Sequence, residues 1–418
     1  MTTTTPSPRP RLGLIPMRGR DPHESHRVAS PLELLFDLAF VVAFGVAGGA
    51  FAHMAAEGHL APAFGGFAFS MFAVCWAWIN FAWFASAYDT DDWLYRLLTF
   101  VQMAGVVVLA LGIPAMFASL EHGDHLDNGV IVAGYVVMRV ALVLQWLRAS
   151  RGDAARRRTA ITYAIFVLIA QVGWVAIGIA NMTLAATFAV VAVLYLIELA
   201  GPVVAEVRGP RTPWHPHHIA ERYSLLAIVA LGEGVIGTVA AVNAVIEEQG
   251  WSADAAAIVV AGLAITFALW WIYFQFPTAP LLHAHPLRAF PWGYLHIIVF
   301  ASIAAVGAGL HVAAYVIEHE AHVTVGTAIA MIAVPVAVFI VMVFGLQWFL
   351  ASRADAADLV AVVVALVVLA AAVIAANAGA SLIVSLGIVT LAPVIVVVID
   401  EVRGRPVRLG SAAIPAGR

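Results

Sequence analysis

The chain has 418 residues, of which 63% are hydrophobic and 11% charged, with a formal net charge of −4. A water-soluble fold of this length needs a more polar exterior, so the solvent around most of the chain is lipid. One cysteine, Cys75, and 21 basic residues that are all arginine exclude an intrachain disulfide framework, a cysteine-based zinc site and a lysine Schiff base.

Residues 1–30 are polar and rich in Pro, Arg and His, lack a signal-peptide pattern, and read as a disordered cytoplasmic arm. A helix needs about 20 apolar residues to cross a bilayer. Twelve runs qualify, at 32–54, 65–87, 94–118, 129–148, 159–181, 183–204, 222–246, 254–276, 292–317, 323–349, 356–376 and 381–399. Spans 5 and 6 are separated by little more than Asn181-Met182, and spans 11 and 12 by Asn377-Ala378-Gly379, so the count needs an independent test.

The arginines supply it. With the N-terminus inside, the cytoplasmic segments receive Arg9 to Arg27, Arg148 to Arg158, Arg208, Arg211, Arg288, Arg353 and the arginines from Arg403 onward. Arg96 and Arg222 start spans 3 and 7, and only Arg139 lies deep in a span. The opposite loops hold Glu57, Glu121, Asp124, Asp127, Glu247, Glu248, Glu318 and Glu320. A missed or extra span would break this partition. The expected topology is multi-pass with both termini cytoplasmic and a tail at 402–418. The lysine-free, alanine-rich composition points to a GC-rich bacterial gene and so to a bacterial inner membrane.

Three echoes link the two halves. Spans 1 and 7 open on Glu33 and Glu221, spans 2 and 8 share Trp-Ile-x-Phe at Trp78 and Trp271, and the loops after spans 3 and 9 share His-x-x-His. Six spans is an even number, so the halves run in the same direction. The expected fold is all-α: a polytopic transmembrane helical bundle of about 12 spans in two parallel six-helix halves, residues 31–206 and 207–401.

The polar motifs carry a resemblance. Arg27-Val28 followed by Pro31-Leu32-Glu33-Leu34-Leu35-Phe36-Asp37-Leu38-Ala39-Phe40-Val41, then Trp76-Ala77-Trp78-Ile79-Asn80-Phe81 and Asp89 to Leu98, resemble the bacterial low temperature requirement protein A (LtrA) family. Glu221-Arg222-Tyr223 and Leu231-Gly232-Glu233 are similar to that family's E-R-[FY]-G and L-G-E elements. Ser224 stands where the family usually has glycine, and Gly234 where serine is common. The resemblance covers about residues 27–400 and implies membrane insertion and a cold-growth phenotype, with no defined activity.

Charge at mid-span costs about 3 kcal/mol on insertion scales, so each such residue needs a partner, a wet cavity or a job. Glu33 and Asp37 are four residues apart and share a face of span 1. Two carboxylates there suit a cation or proton site, whereas Glu33 alone suits a helix cap. Glu233 lies twelve residues past Glu221, about 18 Å along the axis, among Gly232, Gly234 and Gly237. Glycines there allow close packing or local unwinding, as at transporter sites. Arg139 lies at similar depth; Glu233 is its expected partner, with Glu198 second. Such a pair is either a fixed scaffold or a protonation-gated latch. Asn80, Gln102, Gln145, Gln171, Asn243 and Gln275 read as interhelical hydrogen-bond partners, and His311 as a packing residue able to titrate.

His122, His125, His319 and His322 offer weak metal ligands in two loops. His319-Glu320-Ala321-His322 lacks the zinc-protease spacing. Trp214-His215-Pro216-His217-His218 reads as an interfacial anchor, and Trp76, Trp78 and Trp83 as packing. No P-loop, catalytic triad order or basic nucleic-acid patch occurs.

These features favour a non-enzymatic transporter or channel for a cation, proton or small solute, with no cofactor, whose pathway uses Glu33, Asp37, Arg139, Glu198 and Glu233. Expected partners are the bilayer and that ion or solute; nucleic acid is excluded, and homo-oligomerisation is left open. A potassium-type cation channel is an alternative, since Phe36-Asp37 and the six-plus-six layout are similar to lysosomal potassium channels with a Phe-Ser-Asp signature, minus the serine. Others are a non-transporting cold-stress or assembly factor, whose deep charges would all be paired, and a membrane enzyme acting on lipid.

Overall fold

The computed structural model describes residues 13–22, 24, 27–123, 125–180 and 182–403, apart from the side chain of His122. Every regular element among them is helical. The first six are α1 (Pro31–Ala56), α2 (Leu60–Tyr88), α3 (Trp93–His122), α4 (Gly129–Gly152), α5 (Arg157–Ile179) and α6 (Leu184–Arg208). The rest are α7 (Pro216–Gln249), α8 (Ala253–Phe274), α9 (Thr278–Ala284), α10 (Ala289–Ile317), α11 (Val325–Ala351), α12 (Ala356–Asn377) and α13 (Leu382–Val402), with a 3₁₀ turn at Pro286–Arg288. Twelve segments are long and apolar enough to cross a bilayer, as the sequence predicts. The protein is an all-α polytopic membrane protein.

Short polar residues start many of these helices. Asp92, Thr183, Ser252, Thr324 and Ser381 each accept a first-turn backbone N–H, so the tight breaks between spans are chemically specified. At the other end of α3, Gly123 sits at φ 80° and returns its N–H to the Ser119 carbonyl. The apolar surface faces outward as well as inward: Leu111 and Val172 are 71% and 72% exposed in mid-helix, sensible only against lipid.

The chain divides into two compact units, one of Met1–Ala50 with Ala61–Leu226 and one of Phe51–Leu60 with Ala227–Arg418. In the first, α4 packs on α3 and α5, and α5 on α6. In the second, α11 packs on α10 and α12, α12 on α13, and α13 on α8. The division falls inside α7, not at 206/207 as the sequence suggests. The first turns of α7 stay with the first unit because His218 and Arg222 are tied to Glu33 and Asp37.

The expected disordered arm is also corrected for its described part. Met17 is 1% exposed, the Arg20 N–H bonds the Ala87 carbonyl at 2.9 Å, and Arg148 Nη2 donates to the Ile15 carbonyl at 2.8 Å. Arg27 donates to the Ala85 carbonyl at 3.0 Å and lies 3.7 Å from Asp89. Backbone groups of an apparently loop-like segment are satisfied by the helix ends it crosses. Residues 1–12, and the tail from 404, lie outside the described residues.

Candidate functional site

Two buried ionic clusters lie in the first unit. At the start of α1, Glu33 and Asp37 are one turn apart, and the guanidinium of Arg222 from α7 sits between them. Arg222 Nη1 is 2.7 Å from Glu33 Oε1, and Nη2 donates to Asp37 Oδ1 at 2.6 Å. All three side chains are at most 1% exposed. Glu33 also accepts the Ser30 N–H at 2.8 Å and lies 3.1 Å from His218 Nε2. Trp78 Nε1 donates to Asp37 Oδ1 at 2.6 Å, and its ring lies under the Arg222 guanidinium at 5.5 Å. The carboxylate pair therefore does not await a cation, as the sequence suggests; Arg222 is that cation. With His218 neutral the cluster carries one negative charge in excess, and Asp37 Oδ2 has no hydrogen-bond partner among the described residues.

Just outside the spans, the ends of α2 and α3 add a second layer. Burial, then the Glu33 charge, push the Asp89 carboxyl above its ordinary range despite Arg27 nearby. Burial works the same way on Asp92. There the hydrogen bonds from Arg148 and from the Tyr95 N–H prevail and hold it below the ordinary range.

Arg139 is paired, but with Glu198 of α6 and not with Glu233. Its Nη2 reaches Glu198 Oε2 at 3.0 Å and also donates to the Tyr135 hydroxyl. Glu198 takes three further donors: Tyr135 Oη at 3.0 Å, Trp174 Nε1 at 3.0 Å and Trp76 Nε1 at 2.5 Å. Four donors on one carboxylate compensate its ionised form almost completely, which describes a scaffold more than a site in use. A cavity of about 10 Å³ adjoins Glu198, Asn80 and Tyr163, room for about one water. Pro202 also lines it; lacking an N–H, it leaves the Glu198 carbonyl without its helical donor.

Glu233 is different. It is 5% exposed within α7 and makes neither an ion pair nor a side-chain hydrogen bond with any described residue. Its backbone is pressed against α10: a Cβ on Gly307 would lie 2.4 Å from the Glu233 carbonyl oxygen, and one on Gly237 2.3 Å from the Gly307 oxygen. Only glycine permits that approach, which is the packing role expected of the glycines around Glu233. The helix is not unwound there.

The three tryptophans of α2 do more than pack. Trp76 and Trp78 donate to the two clusters, and Trp83 Nε1 donates to the Tyr223 hydroxyl at 3.0 Å. Nor is 214–218 an interfacial anchor. Trp214 is buried against Trp83, His215 Nε2 lies 2.9 Å from the Glu24 carbonyl, and His218 is fully buried beside Glu33. Gln102 donates to Gln145 across α3 and α4 at 2.9 Å as expected, whereas Asn80 bonds the Trp76 carbonyl of its own helix. Of the loop histidines, the His122 side chain lies outside the described residues. His125, His319 and His322 belong to no group of three or more metal-ligating side chains among those described. His319 lies 3.5 Å from Glu248, 86% exposed.

Sequence comparison fits these positions. A family model for the bacterial low temperature requirement A protein matches residues 28–396. The chain belongs to the LtrA family. An uncharacterized protein of Rhizobium meliloti (strain 1021) is 30% identical over 258 residues, which is 59% of this chain and 58% of that protein. The chain therefore spans less than two thirds of that relative. The segments that resemble the LtrA family contribute Glu33, Asp37, Trp78, Arg222 and Tyr223 to one cluster and Trp76 to the other. Sequence reasoning missed Arg222 and His218 as site residues; their spacing of four from each other, on the face one turn apart, was the available signal.

Proposed function

We propose that this LtrA-family protein passes a proton or small cation across the bacterial cytoplasmic membrane without enzymatic chemistry, with both termini inside and Glu233 as the exchanging group. The observation that carries this reading is the contrast in compensation. Glu33, Asp37 and Glu198 have an arginine at hydrogen-bonding distance, and Glu233 has none. A buried carboxylate so placed must take up a proton or a cation, and an intramembrane ionisable group without a structural mate is by default read as a functional site. Channel and coupled-transporter forms of the reading share this step.

The test is flux in proteoliposomes under imposed proton and potassium gradients. Glu233→Gln removes the charge and keeps the shape, so flux should fall at least about tenfold while the unfolding midpoint is unchanged or higher. Unchanged flux in a folded Glu233→Gln protein defeats the role given to Glu233. Saturation of Glu198 by four donors favours a second reading, a non-transporting stress or assembly factor. That reading gains if the wild-type protein passes neither ion.

A further inference from the structure

A cavity in the second unit, where α8, α10 and α11 meet the linker after α8, serves none of the roles above. It has a volume of about 20 Å³, room for a guest of one or two non-hydrogen atoms. Its lining includes Tyr273, Phe276 and Trp292, with Thr278, His296 and Gln347, and no lining side chain is an acid or an arginine.

Hydrogen bonding orients the polar groups. His296 Nδ1 lies 2.8 Å from the Trp292 carbonyl, which can only accept, so Nδ1 carries the ring proton. In the neutral ring Nε2 is then an acceptor, and the Tyr273 hydroxyl donates a hydrogen bond to it at 3.2 Å. A hydroxyl that donates in this way presents lone pairs to a donor. Gln347 is 7% exposed, lines the cavity, and its amide forms no hydrogen bond with any described residue. Its amide atoms open onto the cavity and are not sealed into the packing, so a guest there can supply the partner the chain does not.

We infer that this cavity, built by Tyr273, Phe276, Trp292, His296 and Gln347, binds a small monovalent ammonium-type cation. Aromatic rings attract such a cation through their negative faces, while the Gln347 carbonyl and Tyr273 oxygen accept its N–H groups. The lining has no carboxylate for calcium or magnesium and a single histidine, too few ligands for zinc. An anion would meet aromatic faces and no cationic donor. The inference is independent of Glu233, because it concerns equilibrium binding and survives an absence of flux.

Saturation-transfer NMR on the full-length protein in nanodiscs tests it, with methylammonium as the probe and methanol as a neutral guest of similar size. Methylammonium should bind saturably, at least about tenfold more tightly than methanol. Gln347→Met should weaken it by about tenfold, and Tyr273→Phe, which keeps the ring, by a smaller factor; unfolding midpoints report whether each variant is folded. Absence of saturable methylammonium binding overturns the inference. So does methanol binding as tightly, or methylammonium binding unaltered in both variants; if Gln347→Met does not fold, the Tyr273→Phe result decides alone.

Discussion

The two units hold their mid-span carboxylates in different ways. The first encloses Arg27, Glu33, Asp37, Arg139, Glu198, Glu206 and Arg222, and gives each a partner of opposite charge or several hydrogen bonds. In the second, Glu233 is buried without an ionic mate among the described residues, where α7 and α10 meet backbone to backbone at Gly237 and Gly307. Insertion energetics make both arrangements costly, but in different currencies: a mated pair holds helices in register, whereas a single carboxylate stores a demand for a proton or cation. The ion pairs of the first unit thus account for its buried charge, and the proposed role of Glu233 rests on the pair it lacks.

The comparison breaks most readily at the first unit's pairs. Arg222→Leu should have the largest effect, because it leaves two carboxylates buried together; a loss of about 3–5 kcal/mol, read as a collapse of the unfolding midpoint in detergent, is expected. Arg139→Leu should cost slightly less, since Glu198 keeps three other donors, and adding Glu198→Gln should recover most of the loss. If both single variants are as stable as wild type, the scaffold reading of the first unit is wrong.

At the second unit the expected effects shrink. Gly307→Ala must push α10 away from the Glu233 backbone and should destabilise by about 1–3 kcal/mol in thermal unfolding. Glu233→Gln should leave stability unchanged or raised, the reverse of any substitution in the first unit's clusters.

The smallest effect sharpens the comparison at its edge. The folded-state carboxyl of Asp92 lies below its unfolded value, so its contribution to stability is present above the ordinary carboxylate range and is lost as pH falls through the depressed folded value. Acid unfolding should therefore shift to higher pH in Arg148→Ala, which removes the guanidinium responsible. An acid limb identical to wild type would show that Asp92 draws its stabilisation elsewhere.

Much of the architecture was legible because lipid imposes one-dimensional rules. Helical spans must be about 20 apolar residues long, and the short polar residues Thr183 and Ser381 sit where two close breaks were ambiguous. The candidate site was legible only in its depth. Arg139 lies ten residues into α4 and Glu198 fourteen into α6, about 15 Å and about 21 Å along their axes. A long arginine side chain closes that difference of about one turn, so matching Cα depths led to Glu233 instead. The indole donors of Trp76, Trp78 and Trp83 were unreadable for a related reason: an apolar residue in an apolar span announces nothing about the hydrogen bond at its edge.

The sequence by itself determined that the chain lives in lipid, how many times it crosses, and which few charges lie deep. Tertiary structure alone decided which of those charges are neutralised. Compensation of a buried charge depends on which helix face turns toward which neighbour over a few ångströms, and hydropathy is blind to that rotation. Arg222 and Glu198 became halves of locked clusters, and Glu233 was left without an ionic partner among the described residues.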